Sequence, residues 1–193
     1  MLLKELFLKE DGRATAVFAF GRFNPPTIGH QKLIELVQAT AKKVNGKGFI
    51  FLSHSQNPKK DPLSFNQKLA YLQTLINDPD LEIGHSEANT VIKALQVIEA
   101  QGRTRVIMVA GSDRVMEFDK LLKQYNGKPD QKGNDLYNFD FVDVISAGER
   151  DPDAEGVSGA SASKAREFAQ NDDFTNFSKI NSCCIRREQP YRT

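Results

Sequence analysis

Four short apolar runs constrain this chain more than any other feature: "TAVFAF" (15–20), "GFIFLS" (48–53), "RVIMVAG" (105–111) and "FDFVDVIS" (139–146). Each has the length of a strand and is continuously apolar rather than alternating, which suits a strand buried on both faces of a parallel sheet. A weaker candidate is "DLEIGH", 80–85. Between them lie segments of helical periodicity, "IGHQKLIELVQATAKKV" (28–44), "SFNQKLAYLQTLIN" (64–77), "EANTVIKALQVIEAQG" (87–102) and "SDRVMEFDKLLKQYN" (112–126). A last helix is predicted over about 161–171. Strands alternating with helices imply right-handed crossovers, so the expected architecture is an α/β, Rossmann-like, doubly wound parallel sheet of about five strands. Such sheets bind ligands beyond the carboxyl ends of their strands, where strand order reverses.

At 193 residues the chain suits one domain, with a core over about 15–180 and a tail at 181–193. A chain of that length can bury a core without disulfides or metal. Its 26 basic and 25 acidic residues leave a net charge of +1. No global field then draws it to nucleic acid or an anionic membrane, and anion binding must be local. The opening "MLLKELFLKEDGR" is too charged for a secretory signal, and no stretch approaches the roughly 18 apolar residues of a membrane span. A cytoplasmic protein is expected. The adjacent Cys183 and Cys184 give neither a disulfide framework nor a C-x-x-C spacing, and read as structural thiols. Two polar stretches, 126–138 and 147–161, read as mobile loops.

Two helix starts carry no acid. The positive end of a helix favours Asp and Glu, yet one begins Thr27, Ile28, Gly29, His30, Gln31, Lys32 and another Ser161, Ala162, Ser163, Lys164, Ala165, Arg166. A phosphate would accept from the N–H groups of both starts while His, Lys and Arg add charge-assisted bonds. Ordinary caps at Thr27 and Ser161, with solvated basic residues, are the alternative. Gly21 and Gly29 allow close backbone approach, and Pro25 and Pro26 stiffen the corner. No G-K-[ST] follows, so this is not a Walker A loop, and it is not G-x-G-x-x-G. The three histidines, His30, His54 and His85, form neither a Ser-His-Asp set nor an H-E-x-x-H pair.

The run "GRFNPPTIGH" resembles the signature of the nucleotidylyltransferase superfamily, G-x-F-x-P-x-[HT]-x-G-H, with Gly21, Phe23, Pro25, Thr27, Gly29 and His30 in register. "SASKAR" (161–166) is similar to its second motif, S-[ST]-[ST]-x-x-R, and "VAGSD" (109–113) to its nucleotide-contacting turn. The resemblance implies transfer of a nucleoside monophosphate, usually AMP from ATP, to a small phosphate-bearing acceptor, with release of pyrophosphate. It implies that His30, Thr27 and Arg166 act at the reacting phosphates. Gly21, Arg22, Phe23, Gly29, Gly111, Asp113, Ser161 and Ser163 would complete the nucleotide site. Mg²⁺ is expected to arrive with ATP, with no metal held by the protein alone. Two departures stand out: Thr27 replaces the histidine of many members, as in the phosphopantetheine adenylyltransferases, and Ala162 removes one hydroxyl.

For the acceptor, Arg22 and "LSHSQNPKKDPLSFNQK" (52–68) resemble the archaeal-type nicotinamide-mononucleotide adenylyltransferases, and "NPKK" also resembles the phosphopantetheine enzymes. Asn57, Lys59 and Lys60 are the implied acceptor-binding residues, a solvated lysine pair being the plain alternative. Nicotinamide mononucleotide, giving NAD, is the first choice. A phosphopantetheine enzyme, a cytidylyltransferase and a non-catalytic nucleotide-binding module are the alternatives. The loop and "NDDFTNF" further resemble compact bacteriophage-encoded members, and Arg150 is a candidate to close over the phosphates. Superfamily members are often homo-oligomers, though nothing in the sequence shows that here.

Overall fold

The computed structural model describes residues 14–133, 135–148 and 161–181. The opening segment, Arg150 with most of its loop, and Cys183 with Cys184 lie outside the described residues. The five expected strands are present as β1 (Thr15–Gly21), β2 (Lys47–Leu52), β3 (Leu81–Ile83), β4 (Arg105–Ala110) and β5 (Phe141–Ser146). All pair in parallel, in the order β3-β2-β1-β4-β5. Strand order therefore reverses between β1 and β4, and the crevice at their carboxyl ends is where this topology places a ligand.

Side-chain alternation along the strands divides the core in two. Val17, Ala19, Ile50, Leu52, Ile107 and Val109 face α1 (Ile28–Lys43) and α2 (Phe65–Leu75). Ala16, Phe18, Phe49, Phe51, Val106 and Met108 face α3 (Val91–Ala100) and α4 (Val115–Tyr125). Every residue of β4 is buried, which explains its continuously apolar sequence: both of its faces are covered. The helices meet the sheet through short stripes, such as Ile34, Val37 and Ala41 on α1, at the spacing that keeps side chains on one helical face.

One expectation needs correction. The stretch at 126–138 is not a simple mobile loop. Gly127 N–H donates to the Tyr137 carbonyl at 2.8 Å, Leu136 N–H to the Lys128 carbonyl at 2.8 Å, and Asn126 bonds both backbone groups of Phe139. Tyr137 and Phe139 belong to the core, so the excursion is anchored by its own aromatic end. The last predicted helix is α5 (Ala162–Gln170), and a second short helix, α6 (Phe174–Ile180), follows it. Asp173 starts α6 by accepting the Asn176 N–H, the ordinary chemistry of an N-cap.

Candidate functional site

β1 delivers the chain to the crevice at Gly21. Phe23 then adopts φ +47 and is buried. A Cβ on Gly21 would lie 2.9 Å from the Phe23 ring, so the glycine is needed for the ring to fold back. The left-handed conformation costs a phenylalanine about 1–2 kcal/mol, offset here by burial of the ring. Next comes Asn24, whose buried side chain grips Leu63 from both sides. Its amide donates to the Leu63 carbonyl at 3.0 Å and its oxygen accepts the Leu63 N–H at 3.1 Å. Asn24 was not singled out in the sequence. An Asn before Pro-Pro signals a turn, but nothing local announces a partner 39 positions away.

Thr27 caps α1, and His30 stands at its third position. Thr27 N–H donates to His30 Nδ1 at 3.1 Å, and the Thr27 hydroxyl lies 2.9 Å from the same nitrogen. This is a capping box with imidazole in the place Glu or Gln usually takes. A nitrogen accepting a backbone N–H carries no proton, so the neutral ring holds its proton on Nε2 and is a donor there. The ring also packs on Phe23, centroids 4.8 Å apart. The sequence resemblance implies a phosphate contact for His30, and the structure shows Nδ1 in the capping box with Thr27.

The second motif reaches the first directly. Arg166 Nη1 donates to the Asn24 carbonyl at 2.6 Å, and Nη2 to Ser163 Oγ at 3.1 Å. Ser161 Oγ accepts the Lys164 N–H and caps α5. Absence of acid, however, does not single out these two starts: the first turns of α2, α3 and α6 also lack one. What distinguishes α1 and α5 is the guanidinium bridge, which no helix-start argument predicts.

Gly111 and Asp113 lie at the end of β4, beside β1. A Cβ on Gly111 would sit 2.7 Å from Asp113 Oδ1, so the glycine leaves room for the carboxylate to fold over the turn. Arg22 is exposed, with Nη1 at 3.7 Å from Asp61. Asn57 Oδ1 accepts the N–H groups of Lys59 and Lys60 at 3.0 and 3.2 Å, an Asx turn that shapes the lysine pair and occupies that oxygen. Both lysines are exposed. Asn57 and Asp61 close the turn with reciprocal backbone bonds of 2.9 and 2.8 Å. A groove of about 200 Å³ opens beside Thr27 and His30 and runs along α1 past Ile34 and Gln38 to Leu72 and Leu75 of α2. Among the described residues no group of three or more His, Cys, Asp or Glu could hold a metal ion, and no helix is long and apolar enough to cross a membrane.

The five-stranded parallel sheet, with two motif-bearing helix starts joined at its switch point, defines a nucleotide-binding α/β protein. The chain matches the cytidylyltransferase-like family over residues 18–167 and belongs to it, which makes it a nucleotidyltransferase. The matched span starts within β1 and ends one residue beyond Arg166. Among solved structures it is similar to the Plasmodium falciparum nicotinic acid mononucleotide adenylyltransferase, complexed with NaAD and, separately, with APC. In each case identity is 14%, the TM-score is 0.57, and the match covers 91% of this chain and 96% of the other. At that identity the likeness establishes the fold, with the nucleotidylyltransferase arrangement of sheet and helices. Among curated proteins none matches the chain in sequence.

Proposed function

We propose that this nucleotidyltransferase moves AMP from ATP to the phosphate of a small acceptor, nicotinamide mononucleotide first among the candidates, and releases pyrophosphate. The observation that carries the reading is the bond from Arg166 to the Asn24 carbonyl, which draws α5 onto the corner holding Thr27 and His30.

An oxygen of the acceptor phosphate attacks the α-phosphorus in line, the bond to the α,β-bridging oxygen breaks, and pyrophosphate leaves with that electron pair. No residue is modified, so catalysis is positioning together with stabilisation of the charge that grows on the bridging and equatorial oxygens. His30 Nε2–H donates to that charge, with Thr27 beside it. Ser161, Ser163 and Arg166 hold the β- and γ-phosphates, and the Arg166 fork suits a phosphate while one arm keeps Asn24. Gly21, Phe23, Gly29, Gly111 and Asp113 border the nucleoside. Arg22, paired weakly with Asp61, turns to the phosphates, and Lys59 and Lys60 meet the acceptor phosphate over the Asn57 turn. Mg²⁺ belongs to the substrate and comes with the triphosphate.

The test is pyrophosphate release from protein, Mg²⁺ and ATP with nicotinamide mononucleotide, nicotinic acid mononucleotide or phosphopantetheine, and with CTP replacing ATP. Release with nicotinamide mononucleotide and ATP supports the reading. Release with CTP alone makes the chain a cytidylyltransferase, and ATP binding without release in any arm makes it a binding module.

A further inference from the structure

Lys68 is a lysine with no exposed surface, set on α2 among Leu72 and Leu75. Its ammonium donates to the carbonyl of Ser53 and, at 3.5 Å, to that of Ser55. Burial holds its pKa below the usual lysine value, opposed by the nearby Asp61 carboxylate. A methionine would fill the same space without desolvating a charge. What the ammonium adds is direction, because its N–H donors fix the two carbonyls at the point where the chain leaves β2.

That exit leads into the segment carrying the lysine pair. Ser53 N–H continues the ladder to the Gly21 carbonyl at 2.9 Å, and Asn57 and Asp61 close the turn around Lys59 and Lys60. Leu63, in the grip of Asn24, ends the segment. Lys68 thus ties α2 to the start of a stretch whose end is tied to the nucleotide corner. Asp61, whose carboxylate is near enough to oppose the effect of burial on Lys68, has Arg22 Nη1 at 3.7 Å.

We infer that Lys68 is a positioning residue for the acceptor phosphate: through the Ser53 and Ser55 carbonyls it sets the course of residues 53–61, without touching substrate. The inference rests on the reading that Lys59 and Lys60 meet the acceptor. It deepens that reading by separating acceptor recognition, which depends on the α2 side, from nucleotide recognition, which depends on α1 and α5.

The experiment compares wild type with Lys68→Met and with Lys68→Gln, which keeps N–H donors but loses the charge. Each is first shown to be folded by its melting transition, and then KM is measured for ATP and for nicotinamide mononucleotide. The expected result is an acceptor KM raised tenfold or more in Lys68→Met and by less in Lys68→Gln, with the ATP KM within twofold of wild type. Equal rises in both KM values, no change in either, or failure of both variants to fold would overturn it. Should the wild type turn over no acceptor, the proposed function fails, and calorimetric binding of nicotinamide mononucleotide without ATP decides the inference separately. Weaker binding to Lys68→Met than to wild type supports it, whereas equal binding, or none to either, overturns it.

Discussion

Arg166 donates to the backbone carbonyl of Asn24 at 2.6 Å across 142 positions of sequence, and through this bond the two motifs become one site. Asn24 in turn holds Leu63 with its side chain. One buried residue thereby joins the β1–α1 corner to α5 through its main chain and to the segment that ends at Leu63 through its amide. The crevice between β1 and β4 is assembled from three distant stretches that converge on this residue.

Arg166 holds the Asn24 carbonyl with one terminal nitrogen and Ser163 Oγ with the other, and the proposed function gives its remaining donors to phosphate. Replacing it by lysine keeps the charge but removes the fork, so one ammonium cannot hold both Asn24 and Ser163 as the guanidinium does. Arg166→Ala is expected to weaken ATP and pyrophosphate binding about tenfold or more, the scale of one charge-assisted bond, and Arg166→Lys to recover only part of that. Titration calorimetry checks it, and equal ATP affinity in Arg166→Ala would remove Arg166 from the site.

His30 accepts the Thr27 N–H and, in the proposed function, donates to phosphate, and substitution can separate the two. Glutamate at the third helical position can accept the Thr27 N–H as the Nδ1 nitrogen does and carries no donor when ionised, so His30→Glu should keep the stability of the fold while losing the donor assigned to phosphate. His30→Ala loses both, and should cost about 0.5–2 kcal/mol of stability as a broken cap. Turnover is expected to fall roughly 100-fold or more in each, the scale for removing a transition-state donor. The pair is read by denaturant unfolding and steady-state kinetics, and unchanged turnover in either variant would exclude His30 from the chemistry.

Asn24→Ala leaves the Leu63 N–H and carbonyl without the side-chain partners that now satisfy them. Stranding partly buried backbone groups costs about 1–3 kcal/mol, and the loosened segment carries Lys59 and Lys60. We expect a lower unfolding midpoint together with a raised acceptor KM. A variant as stable as wild type would mean that water replaces the lost bonds.

Much of this molecule is legible along the chain, for reasons that also mark where legibility ends. β4 announces itself because burial on both faces leaves no polar position in Val106–Ala110, and β3, with only Leu81 fully buried, is correspondingly faint. Thr27, His30, Ser161 and Arg166 are visible because a helix start has a fixed offset chemistry. Asn24 and Lys68 are not, because their partners, Leu63 in one case and the Ser53 and Ser55 carbonyls in the other, are chosen by the packing of elements and not by sequence spacing. The missing acids were a weaker signal than they looked, since three other helices lack them too. Asn57 shows the converse: a residue expected to meet the acceptor spends its oxygen on the turn that presents its neighbours.

Tyr137 links the anchored excursion to the core and gives the fold an alkaline limit. Its hydroxyl donates to the Leu122 carbonyl at 2.8 Å, and burial, with Tyr125 adding to it, pushes its pKa up to about 12. An unfolded chain releases the same proton near pH ~10. Below that pH both states are protonated and the full contribution to stability is present. Above it the unfolded state loses its proton first, so stability falls as pH rises through the interval up to about 12, by at most about 1.4 kcal/mol per pH unit. Tyr137→Phe removes this titration and, below pH ~10, should be about 1 kcal/mol less stable for the lost hydrogen bond. The stability difference between wild type and Tyr137→Phe should therefore stay constant from pH ~8 to ~9.5 and shrink above pH ~10. Denaturant unfolding of the two proteins across that range measures the difference directly, and a gap that stays constant into strong alkali would show that the Tyr137 hydroxyl ionises as freely in the fold as in the open chain.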